Sequence, residues 1–319
     1  MKIVILDGNA LSPGDISWDG FRRFGEIEVY PRTAQEEAAE RIGSAEAVII
    51  NKIKITEELL ERCPSVKYVG VLATGYNVVD TAAAARHGVT VTNVPDYSTA
   101  AVSQHVFSLI LEFTNSVQKH SDSVHNGDWV RCPDFCYWKY PLMELQGKTF
   151  GIFGFGNIGR SVARIAAAFG MNAICHTRDP KKITGSELPV ESVSLEALFA
   201  RSDVLTLHAP LTEETRYIIN DSALAKMKPA AILINTARGP LVDEAAVRKA
   251  LDSKKLAGYG CDVLSAEPMR SDNPLLNAPN CLITPHIAWA PLETRQRLMD
   301  IAVENLAAFI RGEPQNTVS

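Results

Sequence analysis

A chain of 319 residues is too long for one ordinary hydrophobic core and suits two domains of about 150 residues each. Its 46% hydrophobic and 22% charged content fits a globular protein, and a net charge of −5 without any run of Lys or Arg argues against a general nucleic-acid or anionic-membrane partner. The six cysteines (Cys63, Cys132, Cys136, Cys175, Cys261, Cys281) are scattered without CxxC pairs, so they read as reduced thiols and no metal site is expected.

From the N-terminus, Met1 to Gly8 contains an apolar run too short for a signal peptide. No stretch reaches the roughly 18 apolar residues of a membrane helix, so a cytoplasmic location is expected. Residues 1–98 then alternate short apolar runs with helical patterns, which marks a parallel-sheet α/β domain. Strands are predicted at Lys2 to Leu6, Ile27 to Tyr30, Ala47 to Asn51, Tyr68 to Leu72 and Thr90 to Thr92, and helices at Ala34 to Ile42, Thr56 to Arg62 and Asp80 to His87. Ala73, Thr74 and Gly75 follow the fourth strand at its carboxyl end, where backbone N–H groups can hold a carboxylate; a plain tight turn is the other reading.

Pro95 breaks the pattern, and Ser98 or Thr99 can cap a long helix from Ala100 to about Val124. Val102, Val106, Leu109, Ile110 and Phe113 share its apolar face, which suits a connector or a subunit contact, while His105, His120 and His125 read as solvated or locally bonded. An aromatic loop from Asn126 to Pro141 follows, including Trp129, Phe135, Tyr137, Trp138 and Tyr140. It reads as a surface covered by another subunit or as a pocket wall.

Thr149 to Arg160 reads as a buried strand, a glycine turn and a helix start, the shape of a dinucleotide-binding βα turn. Gly154 permits the turn, Gly156 lets backbone approach a diphosphate, and Gly159 lets the helix opened by Asn157 and Ile158 pack on the strand. Further strands are predicted at Asn172 to His176, Val204 to His208, Ala231 to Asn235, Ala257 to Cys261 and Cys281 to Thr284, with helices at Ser194 to Ala200, Ala223 to Met227 and Leu292 to Arg311. After the Asn172 to His176 strand, where an acidic residue commonly binds the adenine ribose, stand Thr177 and Arg178. A hydroxyl beside a guanidinium suits a 2′-phosphate, so NADP is favoured, with NAD possible because Asp179 follows.

Arg238, Glu267 and His286 stand just past three successive strands, at the edge where an open α/β sheet meets its ligand. With Gly154-Phe155-Gly156-Asn157-Ile158-Gly159, His208-Ala209-Pro210-Leu211-Thr212, Asn235-Thr236-Ala237-Arg238-Gly239, Asp262-Val263, Glu267-Pro268 and Pro285-His286, the chain resembles the D-isomer-specific 2-hydroxyacid dehydrogenase family over essentially its whole length. Leu72 to Asn77 and Asp134 to Trp138 look most like glycerate dehydrogenases, also called hydroxypyruvate reductases. The resemblance implies a Rossmann-type doubly wound cofactor domain (99–286), a discontinuous flavodoxin-like substrate domain (1–98 and 287–319) and a homodimer. It implies that His208, Ala209, Pro210, Thr215, Thr236, Ala237, Asp262 and His286 line the cofactor, with Asp262 at the nicotinamide carboxamide. Ala73, Thr74, Gly75, Arg238 and His286 would meet the substrate, and Trp138 would reach toward the partner's site.

The implied activity is reduction of a small 2-oxo acid, hydroxypyruvate or glyoxylate, to D-glycerate or glycolate. Hydride addition at C2 puts negative charge on the carbonyl oxygen, which calls for a proton donor and a fixed cation. His286 is the expected acid, Glu267 its orienting carboxylate, and Arg238 the planar grip on the substrate carboxylate. The 319 residues leave no room for a regulatory domain, which speaks against a long-form phosphoglycerate dehydrogenase. The rivals are a non-catalytic dinucleotide-sensing scaffold of the corepressor type and a dehydrogenase for a bulkier 2-oxo acid.

Overall fold

A computed structural model describes residues 1–184 and 186–318. It divides into two units, Met1–Ser98 with Ala290–Ser319, and Thr99–Trp289.

In the first unit, strands β1 (Lys2–Ile5), β2 (Glu26–Val29), β3 (Ala47–Ile50), β4 (Tyr68–Val71) and β5 (Thr90–Thr92) form one parallel sheet in the order β2-β1-β3-β4-β5. That is the flavodoxin-like order. All four residues of β3 and of β4 are buried, which is why these strands read as continuous apolar runs, whereas edge strand β2 alternates with its EIEV sequence. Helices α1 (Asp19–Arg22), α2 (Ala38–Ile42), α3 (Glu57–Arg62) and α4 (Thr81–Arg86) make the crossovers. The Thr56 hydroxyl and the Asp80 carboxylate accept from Leu59 N and Ala83 N, fixing the starts of α3 and α4.

The second unit starts with α5 (Thr99–Asn115) and α6 (Val117–His125). One helix was expected here; Ser116, at φ 47° and ψ 45°, is left-handed and cannot continue a right-handed helix. Neither glycine nor proline marks that break in the sequence. Then come β6 (Thr149–Phe153), α7 (Asn157–Ala168), β7 (Asn172–His176), α8 (Lys181–Thr184), β8 (Val190–Ser192), α9 (Leu195–Arg201), β9 (Val204–Leu207), α10 (Asp221–Lys226), β10 (Ala231–Asn235), α11 (Glu244–Asp252), β11 (Leu256–Cys261) and β12 (Cys281–Ile283). All pairs are parallel, in the order β12-β11-β10-β9-β6-β7-β8. This is the doubly wound arrangement with one strand added, and the order reverses between β6 and β9. The polar edge strand β8 and helix α11 were not expected. The last helix, α12 (Leu292–Ile310), belongs to the first unit, where Phe309 lies 5.0 Å from the Tyr68 ring and Asn305 Nδ2 donates to the Asn93 carbonyl. Among the described residues no helix is long and apolar enough to cross a membrane.

Candidate active site

The carboxyl ends of β6 and β9 meet at the point of strand-order reversal. Gly154 turns there with φ 99°, and a Cβ on it would lie 2.7 Å from Ala209 N and from the His208 carbonyl carbon. A Cβ on Gly159 would lie 2.3 Å from the Gly154 carbonyl oxygen, so α7 sits directly on the turn. Gly156 differs: nothing lies within 4 Å of its Cβ position, and as N-cap of α7 it offers no side chain to the helix. The turn therefore presents the start of α7, opened by Asn157 and Ile158, to open space, the setting in which a helix N-terminus takes a diphosphate.

Whether these residues suit a nicotinamide dinucleotide can be tested on the strand ends. At the end of β10, Thr236 Oγ1 is buried without a hydrogen-bond partner among the described residues. Such a buried orphan costs about 1–3 kcal/mol, so a ligand group there would be favoured. His208, which bonds the Thr206 hydroxyl at 2.9 Å, is held by burial down to about 3 and is neutral at physiological pH. Thr215 closes the same loop through its hydroxyl on the Pro210 carbonyl at 2.8 Å. After β7, Thr177 is part-buried and Arg178 exposed, while Asp179 Oδ1 accepts from Lys181 N at 3.2 Å at the start of α8. The set fits a dinucleotide.

At the neighbouring strand ends, His286 Nδ1 lies 2.7 Å from Glu267 Oε2, and the other oxygen of Glu267 accepts from Leu264 N at 3.0 Å. His286 is left-handed, at φ 55°. That conformation costs about 1–2 kcal/mol in a non-glycine residue and persists only where its surroundings impose it. Asp262, 1% exposed, does so: Oδ1 accepts from Ile287 N and Oδ2 from Ala288 N, both at 2.8 Å, while the Thr284 hydroxyl donates to Oδ1 at 2.6 Å. Arg238 follows β10 on a turn stapled by the buried Asn235, whose Nδ2 donates to the Arg238 carbonyl at 2.9 Å and whose Oδ1 accepts from Ala237 N at 3.0 Å. Its guanidinium is exposed and donates to the Ala237 carbonyl. The turn packs directly on the backbone at Leu264 and Ser265, which joins the Arg238 segment to the Glu267 segment. Because β10, β11 and β12 are consecutive in the sheet at about 4.8 Å spacing, the loops bearing Arg238 and His286 start about 10 Å apart, within the reach of an arginine.

In the first unit, the turn of Ala73, Thr74 and Gly75 is pinned by Thr74 Oγ1 on the Val94 carbonyl at 2.9 Å and by Asn93 Nδ2 on the Thr74 carbonyl at 2.7 Å. The N–H groups of Gly75 and Tyr76 donate to no protein acceptor among the described residues. Trp138 projects from the aromatic loop, 68% exposed. Sequence reasoning missed Asn235 and Thr284 as supports and misread His105, which is neither solvated nor locally bonded: its Nε2 lies 2.9 Å from Thr284 Oγ1, 179 residues away. No signal within α5 itself reveals that contact. Among the described residues no cluster of metal-ligating side chains occurs.

Residues 107–288 match the family described as D-isomer specific 2-hydroxyacid dehydrogenase, NAD binding domain. The chain is similar to the hydroxypyruvate reductase of Blautia hydrogenotrophica, with 48% identity covering all of both chains. It is similar also to the glycerate dehydrogenase of Methylorubrum extorquens, with 41% identity over 99% of this chain and 98% of that one. Among solved structures, an acyclic imino acid reductase in complex with NADPH and D-Arg superposes with a TM-score of 0.86 over the whole of both chains at 30% identity.

Proposed function

The chain belongs to the D-isomer-specific 2-hydroxyacid dehydrogenase family, and from that premise we propose that it reduces hydroxypyruvate or glyoxylate with NADPH, using His286 as the acid. As a member it is an oxidoreductase acting on a CH–OH group, a 2-oxo acid reductase that uses a nicotinamide dinucleotide.

The bond from His286 Nδ1 to the Glu267 carboxylate carries the reading. With Nδ1 engaged, Nε2 is the ring nitrogen left for proton transfer, and the carboxylate fixes the orientation of the ring. A dinucleotide held at the Gly154 to Gly159 turn would supply the hydride. As negative charge grows on the substrate's carbonyl oxygen, His286 delivers its Nε2 proton there, and the planar fork of Arg238 holds the substrate carboxylate. Within the first unit, the N–H groups of Gly75 and Tyr76, which no described residue accepts, are suited to a carboxylate. The relatives named hydroxypyruvate reductase and glycerate dehydrogenase support a small substrate.

Preference for NADP is supported by the neutral Thr177, the exposed Arg178, and the engagement of the Asp179 carboxylate in the α8 turn. A homodimer is supported by the exposed apolar side chains of one segment, with Val130 and Phe135 each 89% exposed. The scattered thiols, none of them in a disulfide, agree with a cytoplasmic site of action.

A panel of 2-oxo acids from glyoxylate and hydroxypyruvate to bulky aromatic acids, run with NADPH and with NADH, tests this. The fastest turnover is expected with the two small acids and NADPH; dinucleotide binding without turnover of any 2-oxo acid would overturn it in favour of a sensing scaffold.

A further inference from the structure

Two glycines of β11 set the distance between that strand and α5. A Cβ on Gly258 would lie 2.5 Å from Phe113 Cδ1, and a Cβ on Gly260 would lie 3.2 Å from Leu109 Cβ. Four residues of helix advance about 6 Å and two residues of strand about 6.6 Å, so the helix and strand stay in step. The series 113, 109, 105 on α5 thus runs over 258, 260, 262 on β11 and its continuation. The third step puts His105 over Asp262: His105 Nε2 is 2.9 Å from Thr284 Oγ1 and 3.7 Å from Asp262 Oδ1.

The hydroxyl of Thr284 has one proton, and its nearest acceptor is Asp262 Oδ1 at 2.6 Å, against 3.4 Å to the Cys261 carbonyl. Thr284 Oγ1 is then the acceptor for His105, and the imidazole carries a hydrogen on Nε2. The direction of the bonds runs from His105 N–H to the Thr284 hydroxyl, and from that hydroxyl to the Asp262 carboxylate. The same carboxylate receives the N–H groups of Ile287 and Ala288, which close the left-handed turn at His286.

We propose that His105 is a positioning residue for the reaction, holding the His286 imidazole in place through Thr284 and Asp262. It touches neither reacting atom; it fixes the rotamer of a buried carboxylate whose two oxygens bear the strained turn. The proposal rests on the reading of His286 as the acid, but its structural half can be read without turnover.

The test compares His105→Leu, His105→Gln, Thr284→Val and the His105→Leu/Thr284→Val double variant, by steady-state kinetics and by 15N-histidine NMR of the dinucleotide-free protein, with the His286 ring signals assigned from His286→Ala. His105→Leu is expected to lower kcat about 10- to 100-fold, the scale on which small misplacements of a catalytic group act, with KM changed much less. His105→Gln, which keeps an N–H at similar reach, should retain near-native kcat. Thr284→Val should match His105→Leu, and the double variant should lose no more than either. The His286 ring signals should shift or broaden in His105→Leu and in Thr284→Val while remaining native in His105→Gln.

Unchanged His286 signals with native kcat in His105→Leu, a double variant whose loss is the product of the two, or a His105→Gln loss equal to that of His105→Leu would each overturn it. If His105→Leu does not fold, Thr284→Val and His105→Gln decide by the same signals. A wild-type protein without turnover on any 2-oxo acid would refute the reductase reading, and the ring signals would still judge the link from His105 to His286.

Discussion

A Cβ built on Gly239 would fall 1.9 Å from the carbonyl carbon of Leu264, so the turn after β10 and the turn after β11 touch backbone to backbone. The Leu264 N–H on the other side of that contact holds Glu267 Oε1. Any side chain at 239 must push the Glu267 segment away from Arg238, or shift Arg238 itself. Gly239→Ala is therefore expected to reduce kcat by about 10²-fold. Strain of this kind costs about 1–3 kcal/mol, so thermal unfolding should also occur at lower temperature. Native kinetics in this variant would show that the two turns move independently.

Removing the acid should be read in the chemical step. His286→Ala is expected to lower kcat by about 10² or more while the Kd for the dinucleotide changes little. Glu267→Gln, which takes the carboxylate away from His286 Nδ1, should also lower kcat, by about 10-fold or more, with the Kd for the dinucleotide again little changed. Native kcat in His286→Ala, with chemistry shown to be limiting by a deuteride isotope effect, would remove His286 from the role.

The proposed preference for NADP turns on one exposed guanidinium, that of Arg178. A hydrogen bond to a charged group contributes about 1.5–3 kcal/mol, so Arg178→Ala should lower kcat/KM for NADPH by about 10- to 100-fold and leave NADH nearly unaffected. Thr177→Asp, placing a carboxylate where a 2′-phosphate would lie, should reverse the preference. Equal loss with both cofactors would mean that Arg178 acts on something other than the 2′-phosphate.

Much of this architecture is legible in the sequence because its signals are local. The buried parallel strands announce themselves as unbroken apolar runs such as Ala47–Ile50, and the glycines at 154, 156 and 159 declare a turn whose reason is steric. Glu267 and His286 could be paired because each follows a strand end, and the bond between them is present. What the sequence hides is contact between distant segments. His105 sits in an ordinary helical pattern, and only the glycines of β11 bring it to Thr284. The break at Ser116 is equally silent, since neither glycine nor proline stands there to announce a left-handed residue.

His208 should make stability depend on acid pH. Its folded-state value of about 3 lies below the ordinary 6.5, so between these values the unfolded chain binds more protons than the folded one. The contribution of the neutral imidazole is complete above the ordinary value and is lost progressively as pH falls toward 3. His208→Gln should show a shallower decline of Tm between neutral and acid pH than the wild type, in the dinucleotide-free protein. Parallel curves would mean that the imidazole titrates alike in both states.

The aromatic loop is built to present its apolar side chains outward. Asp128 accepts from Ser123 Oγ at 2.6 Å and Arg131 Nη2 at 2.9 Å, pairs with Lys139, and is held at about 2 by these donors. Trp129 Nε1 closes the loop on the Phe135 carbonyl at 3.0 Å. Polar groups are thus spent on internal order, while Val130 and Phe135 stand 89% exposed and Trp138 68%. Such side chains on an ordered loop cost little entropy to bury against a second copy. Sedimentation equilibrium is expected to give a dimer for the wild type, and Val130→Asp/Phe135→Asp to give a monomer with intact far-UV dichroism. Because both positions lie outside the Arg238, Glu267 and His286 group, dinucleotide binding by that monomer should persist. A wild-type monomer at micromolar concentration, or a double variant that stays dimeric, would leave this loop without the subunit-contact role.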